Sequence, residues 1–256
     1  MNKIFIKGGL LCVAAILTLS GCGSNSSDSQ DKQENSSSAI KASSGSNKKK
    51  ENSLSNVMNQ LARKSVSTGD VYVTGKMSVG SKNTLKPGIY DMKITGGSGN
   101  IMGDRKEVLS GMPINWIGSA TASNNGNASI FRIILMEGDS IDFSNISKVN
   151  FTAVPEKITP TNELGQGNYV VNRDIKAGTY KLSTNVTLDP EYENLGWDFT
   201  IYDDKTKESR NQRLTSSSND VVVELKEGEI ITTSFDATGF EGNADSDKLI
   251  FTPINQ

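Results

Sequence analysis

Residues 85–90 read LKPGIY, and residues 175–180, 90 positions later, read IKAGTY. Two further blocks recur in the same order: residues 133–141 (IILMEGDSI) match 223–231 (VELKEGEII), again at an offset of 90, and residues 148–152 (KVNFT) match 248–252 (KLIFT) at an offset of 100. Three blocks that recur in one order indicate an internal duplication. The ten extra residues of the second copy fall around residues 236–243 (DATGFEGN), which have the composition of a loop.

The repeated blocks have the pattern of β-strands. Residues 197–202 (WDFTIY) alternate apolar and polar side chains, as in a strand with one buried face. Residues 221–225 (VVVEL) lead into KEGE, where the glycine permits a turn into the next strand. Strands spaced roughly 10 residues apart, with turns between them, are typical of a β-sandwich. The sequence therefore predicts an all-β protein with two tandem small β-sandwich domains, residues 69–155 and 163–256, joined by a linker at 156–162.

The duplicated pattern resembles modules of secreted and lipid-anchored proteins of Gram-positive bacteria. Their cue is a Lys-Ala/Pro-Gly-x-Tyr strand, a Gly-rich stretch, and an aliphatic strand that ends in a Glu-Gly-Asp/Glu turn. Residues 80–256 carry most of this pattern. It is also distantly similar to jelly-roll modules appended to exported enzymes. The resemblance implies a jelly-roll-like architecture but no catalytic motif, since such sandwiches serve many functions.

The N-terminus has the organisation of an export signal. Two lysines lie in the first seven residues, and residues 8–21 are uncharged with an apolar centre. This apolar run is shorter than the roughly 20 residues of a membrane span. Residues 19–22 (LSGC) resemble the lipobox of bacterial lipoproteins, with Leu19, Ser20 and Gly21 before Cys22. The resemblance implies cleavage after residue 21, a diacylglycerol on the Cys22 sulfur, and a protein anchored on the outer face of the cytoplasmic membrane.

Between the anchor and the repeats, the sequence predicts a tether and a helix. Residues 22–53 are rich in Ser, Asn and Lys and almost free of apolar side chains, which favours a flexible coil. Residues 54–68 place apolar side chains at 54, 57, 58, 61 and 62, the spacing of an amphipathic helix. Ser53 and Ser55 are both suitable caps for its start.

The composition excludes several classes of chemistry. Cys12 leaves with the signal peptide and Cys22 carries the lipid, so no disulfide or thiolate ligand is expected. The chain has no histidine, which excludes His-based triads and His-ligated zinc. Its net charge is −2 without a basic run on a folded segment, so no nucleic-acid partner is expected. Residues 96–103 (GGSGNIMG) lack the Gly-Lys-Ser/Thr of a phosphate loop and favour a β-turn or bulge, so no cofactor is expected.

Four aromatic residues are candidates for special roles. Trp197 shares the apolar face of its strand and is expected in the core. Trp116 lies in a less regular stretch, so it could lie either in the core or on the surface. On the surface its ring could stack on a sugar, and Trp116 is therefore the candidate ligand-binding residue. Tyr90 and Tyr180 occupy equivalent repeat positions, so each ring is expected in a core with its hydroxyl bonded to backbone.

Several acids are candidates for a metal site or for hydrolysis. Asp245 and Asp247 are candidate calcium ligands, but they lack EF-hand spacing, and turn formation is the favoured interpretation, so no metal is predicted. Two carboxylate pairs, Glu137 with Asp139 and Glu227 with Glu229, suggest a hydrolase that uses carboxylates alone. Each pair flanks a turn glycine, however, where charged side chains are expected on the surface.

These features favour a non-enzymatic module that binds an envelope or extracellular ligand, either a cell-wall polysaccharide, a peptide or an envelope protein. The alternatives are an accessory subunit of a membrane transport or secretion complex and a carboxylate-only hydrolase. A further hypothesis is that residues 14–21 (AAILTLSG), once cut from the signal peptide, act as a short pheromone-like peptide.

Overall fold

The computed structural model describes residues 53–106, 112–122, 127–236 and 243–254, all within one compact unit, Ser43–Gln256. The signal peptide, the lipobox with Cys22, the tether and the pheromone-like segment lie outside the described residues, so these remain predictions.

The described chain consists mostly of strands, which confirms the all-β class. Its elements are α1 (Leu54–Arg63), β1 (Asp70–Tyr72), β2 (Met77–Ser78), β3 (Gly88–Asp104), β4 (Ile114–Ser119), β5 (Ile130–Leu135), β6 (Ser140–Ala153), β7 (Glu163–Leu164), β8 (Gly167–Val170), β9 (Gly178–Thr184), β10 (Gly196–Asp203), β11 (Ser209–Thr215), β12 (Val222–Leu225), β13 (Glu229–Asp236) and β14 (Leu249–Pro253).

Strand pairing repeats at the offsets found in the sequence. In the first repeat, β3 pairs with β5 so that Tyr90 lies opposite Ile133. In the second, β9 pairs with β12 so that Tyr180 lies opposite Val223, each residue 90 positions later. The third block also keeps its offset of 100, since β6 flanks β3 as β14 flanks β9. The two copies therefore share one pattern of strand register.

The repeated tyrosines hold equivalent places, as predicted. The rings of Tyr90 and Tyr180 are buried, and each packs edge-on against the phenylalanine of the third block, Phe151 or Phe251, at 5.8 Å between ring centroids. Each hydroxyl donates to the backbone carbonyl four residues earlier, at 2.9 and 2.8 Å. The prediction of a core ring with a backbone-bonded hydroxyl is confirmed.

The second repeat is a sandwich of two sheets, and the first is a variation on it. Sheet β12-β9-β14-β7 faces strands β8-β13-β10-β11 across a buried apolar core. In the first repeat, β3 and β6 are long enough to run through both layers, so the layers join into one bent sheet. The bend coincides with the predicted bulge, where the pairing shifts register between Ile94 and Asn100. Gly97 permits the bend because its φ is +85° and a Cβ would lie 2.3 Å from a carbonyl of β6.

The predicted helix is present but shorter than residues 54–68. Ser53 caps its start by accepting a hydrogen bond from the Asn56 N–H at 3.3 Å. The helix ends at Arg63, after which the chain runs along β6, where the Thr68 N–H donates to the Phe151 carbonyl. Pairing with a strand edge thus replaces the last helical turn.

The two repeats are joined by a sheet contact and a shared apolar cluster. β5 of the first repeat meets β8 of the second in a parallel bridge between Arg132 and Gly167, where the Arg132 N–H donates to the Gln166 carbonyl. Gly167 has a φ of +135°, and a Cβ there would lie 2.2 Å from the Arg132 carbonyl oxygen. The shared cluster takes residues from α1 and from both repeats: Met58, Leu61, Ala62, Ile89, Met112, Ile134, Val154, Val170, Tyr202 and Ile230.

Candidate binding cleft between the repeats

A cleft of about 350 Å³ opens where β5 meets β8. Its walls come from both repeats and from the connection between them. Charged and aromatic side chains line one part of it, and Ile130 and Ile158 supply an apolar part. Clefts with mixed linings at junctions between structural units are common ligand sites.

Arg132 lies at the centre of the charged part. Its Nε donates to Asp91 Oδ1 at 2.6 Å, and its Nη1 donates to Asp174 Oδ1 at 2.8 Å. Its guanidinium lies 5.6 Å from the centroid of the Tyr169 ring. Burial alone would lower the pKa of Arg132, but the hydrogen bond and charge of Asp91 more than offset this effect. The pKa is therefore raised and the guanidinium stays positively charged. Arg132 thus presents a fixed cation between two carboxylates and an aromatic ring.

The partners of Arg132 are themselves held rigidly. Asp174 is 3% exposed in its side chain, and it also accepts hydrogen bonds from Arg173 Nη1 at 2.8 Å and from the Val170 N–H at 2.9 Å. Burial raises the pKa of Tyr169 far above its usual value, so the phenol stays neutral. Asp91 differs, because 42% of its side chain is exposed. It is therefore the member of the network that an incoming ligand can reach.

A short segment of the second repeat closes one side of the cleft. We call residues 243–248 the strap. Asp245 of the strap accepts hydrogen bonds from the Ser129 N–H at 2.7 Å, the Ser129 hydroxyl at 2.6 Å and the Ile130 N–H at 3.1 Å. Lys248 Nζ donates to the carbonyl oxygens of Asp245 at 2.8 Å and Asp247 at 3.2 Å. The strap therefore ties the second repeat to the first beside the ligand space.

Asp247 is a buried acid within this strap. The residue is 4% exposed, and its Oδ2 has no hydrogen-bond partner among the described residues. Burial raises its pKa to about 6; Lys248 opposes the rise and Asp245 adds to it. Its carboxyl is therefore only partly protonated near pH 6.

The calcium candidates do not form a metal site in the described part of the chain. Both oxygens of Asp245 are engaged by Ser129 and Ile130. No group of three or more His, Cys, Asp or Glu side chains is placed to hold a metal ion among the described residues. Turn formation accounts for this acidic stretch, since the Asn243 side chain and carbonyl bond to residues 245 and 246.

Trp116, the candidate ligand-binding residue, is not exposed. It is 3% exposed, packs 5.6 Å from Phe131 between ring centroids, and donates its indole N–H to the Thr233 carbonyl of the other repeat at 3.1 Å. The exposed sugar platform is therefore wrong for Trp116, which instead fastens the two repeats together. Trp197 is fully buried, as predicted.

The paired carboxylates serve turns rather than a cleft. Asp139 and Glu229 are each 1% exposed, which contradicts the expectation of surface charge. Each accepts a hydrogen bond from the backbone N–H three residues earlier, at 2.9 and 2.7 Å, and each pairs with an arginine, Arg105 or Arg210. The expectation failed because each buried carboxylate is compensated by an arginine, which is buried in the case of Arg105 and 43% exposed in the case of Arg210. Oδ2 of Asp139 and both carboxylate oxygens of Glu229 are thus engaged in contacts within the fold.

Sequence reasoning missed Arg132, Tyr169, Asp91 and Asp174. Asp91 and Asp174 lie 41 and 42 positions from Arg132 in the sequence, so no short motif marks the network. One signal was available, because Arg132 interrupts an otherwise apolar strand, IFRIIL. A charged residue in such a strand needs a partner, and only the fold supplies it.

Two further findings bear on function. No family model, curated protein or solved structure matches this chain. Among the residues that the structure describes, no helix has the length and apolar character to cross a membrane.

Proposed function

We propose that this chain is a lipid-anchored extracellular protein that binds an envelope or extracellular ligand in the cleft between its repeats, without chemical conversion of that ligand. The anchor is supported by the lipobox-like residues that end at Cys22. The binding role is supported above all by the fixed Arg132 cation, flanked by the reachable carboxylate of Asp91 and by Tyr169.

The chemistry of the cleft suits a ligand with polar groups and some apolar surface. Asp91 offers acceptor atoms, and Glu163 at the cleft wall is exposed. Ile130 is 40% exposed and can pack against sugar carbons or against a peptide side chain. A cell-wall polysaccharide and an extended peptide of the envelope both meet these conditions.

The test is sedimentation of residues 23–256, which retain the whole compact unit, with purified cell walls, together with crosslinking to envelope proteins on intact cells. Asp91→Asn keeps the shape of the side chain but removes its charge. Since a hydrogen bond to a charged group contributes about 1.5–3 kcal/mol, we expect the ligand to bind about tenfold or more weakly.

The matched control is Asp198→Asn. Asp198 forms a bidentate ion pair with an arginine, Arg213, but it lies outside the cleft. Its substitution should leave binding unchanged. Equal binding by the two variants, or no binding of the parent chain to walls or envelope proteins, contradicts the proposal.

A second candidate function is an accessory subunit of a membrane complex. On the outer face of β3 and β4, Met102 is 49% exposed and Ile117 is 54% exposed. β4 pairs along its length with one strand, β3, among the described strands. Its other edge forms a short parallel bridge at Gly118 with Ala128, which leaves residues 114–117 of that edge for pairing with a partner. If this role holds, the double variant Met102→Asp/Ile117→Asp loses a co-purifying membrane complex and keeps its affinity for walls.

A further inference from the structure

A second concave surface lies beside the C-terminal end of α1. The groove has a volume of about 480 Å³. Leu61, Val66, Pro87 and Met136 form its apolar lining. Val66 is 55% exposed, which is high for an apolar residue beside a groove.

Positive charge flanks this groove. Lys64 is exposed and makes no ion pair in the described part of the chain, and Lys86 is held over the groove by donating to the Ser81 carbonyl at 2.6 Å. Glu137 is the acid in the lining, and its carboxylate accepts from the Ser81 N–H at 3.0 Å. Two lysines against one acid leave the rim with net positive charge.

A second exposed apolar side chain, Val57, lies on the face of α1 that also carries the buried Leu61. Val57, Leu61 and Lys64 follow one another at helical spacing on one face, and Val57 is 44% exposed. The helix of ten residues is about 15 Å long. In the sequence, Lys48, Lys49 and Lys50 lie three to five positions before the helix cap Ser53. Lys64 and Lys86 therefore flank a strip of apolar side chains in which Val57 and Val66 are exposed.

We propose that this strip, formed by α1 and the groove beside it, lies on the anionic phospholipid surface of the membrane that carries the anchor. The inference rests on the anchored position proposed above but not on ligand binding in the cleft. Apolar side chains flanked by lysines match the boundary between acyl chains and anionic headgroups. The tether keeps the strip near that surface, so modest intrinsic affinity is sufficient.

The experiment supplies the anchor chemically, so its outcome does not depend on cellular lipidation. The chain from Cys22 onward is coupled through its Cys22 thiol to a maleimide phospholipid in vesicles in which roughly a third of the lipid is phosphatidylglycerol. Val66→Trp reports contact with the bilayer through quenching by brominated acyl chains. The native Trp116 and Trp197 are buried and give a constant background.

The matched control is Val222→Trp, because Val222 is an exposed valine of similar exposure, 49%, on β12 of the second repeat. We expect quenching for Val66→Trp but not for Val222→Trp. It should be lost in pure phosphatidylcholine vesicles and at about 1 M salt, where screening acts within roughly 3 Å. Adding Lys64→Glu and Lys86→Glu should lower the ratio of docked to free protein by about fivefold per lysine or more.

The proposal is overturned by equal quenching at the two positions, by quenching that is indifferent to anionic lipid, or by quenching that survives the double charge reversal in a folded protein. Val66→Trp emission that changes with the density of protein on the vesicle, but not with lipid charge, assigns the strip to a second copy and also overturns it. Wall binding by the Asp91 series is unaffected in all these cases, so the two proposals fail separately.

Discussion

Replacing Asp247 by asparagine should change how stability depends on pH. The pKa of Asp247 is raised from 3.8 to about 6 because the carboxyl is buried in the strap without a partner for Oδ2. The folded state therefore holds a proton that the unfolded chain releases near pH 4. Stability then falls as pH rises from about 4 to about 6, and the cost is fully present above pH 6. A shift of about two units corresponds to roughly 3 kcal/mol at most.

The assay is urea unfolding at intervals from pH 4 to pH 8, followed by near-UV circular dichroism of the two buried tryptophans. Between pH 4 and pH 7, the free energy of unfolding of the parent chain should fall by up to about 3 kcal/mol because of this carboxyl, and that fall should be missing in Asp247→Asn. The absolute stability of the variant is not the readout, since an unpaired amide has its own cost. Asp220→Asn is the control, because Lys181 lowers the pKa of this exposed acid and its pH dependence has the opposite sign. Parallel pH curves for Asp247→Asn and the parent would refute the reasoning.

Two further predictions concern the joint between the repeats. Arg105→Ala leaves the buried Asp139 carboxylate without its arginine partner and should lower the free energy of unfolding by about 3–5 kcal/mol. Arg210→Ala, at a side chain that is 43% exposed, should lower it clearly less. Urea denaturation at pH 7 compares the two variants, and equal losses would contradict the assignment. Gly167→Ala would place a Cβ 2.2 Å from the Arg132 carbonyl oxygen, so the β5 and β8 strands should separate at the cleft. We expect faster hydrogen exchange of the β5 and β8 backbone amides, and unchanged exchange would contradict the close approach.

The architecture within each repeat could be read from the sequence. Strand register follows the alternation of apolar side chains and the turn glycines, both of which are local. The equivalence of Tyr90 and Tyr180 was therefore enough to place their rings and hydroxyls. The helix was predicted too long because pairing with β6 competes with its last turn, and this competition depends on a strand more than 80 residues away.

The cleft could not be read in the same way. It depends on contacts between residues far apart, such as Asp245 with Ser129, 116 positions earlier. The same distance misled the interpretation of Trp116, whose partner Thr233 lies 117 positions later. A single sequence records which residues are unusual, but not which of them meet.

The differences between the two copies say more about function than their likeness. At the joint, Ile134 of the first repeat is buried in the shared cluster, while its equivalent 90 positions later is the exposed Glu224. The second repeat therefore presents a polar residue where the first buries an apolar one. Arg132 likewise corresponds to Val222, which is 49% exposed and carries no charge. Among the described residues, the cation of the cleft thus has no counterpart at the equivalent position of the second repeat. Because stability alone does not require a partly exposed arginine and carboxylate in place of apolar packing, this divergence supports a binding role for the cleft.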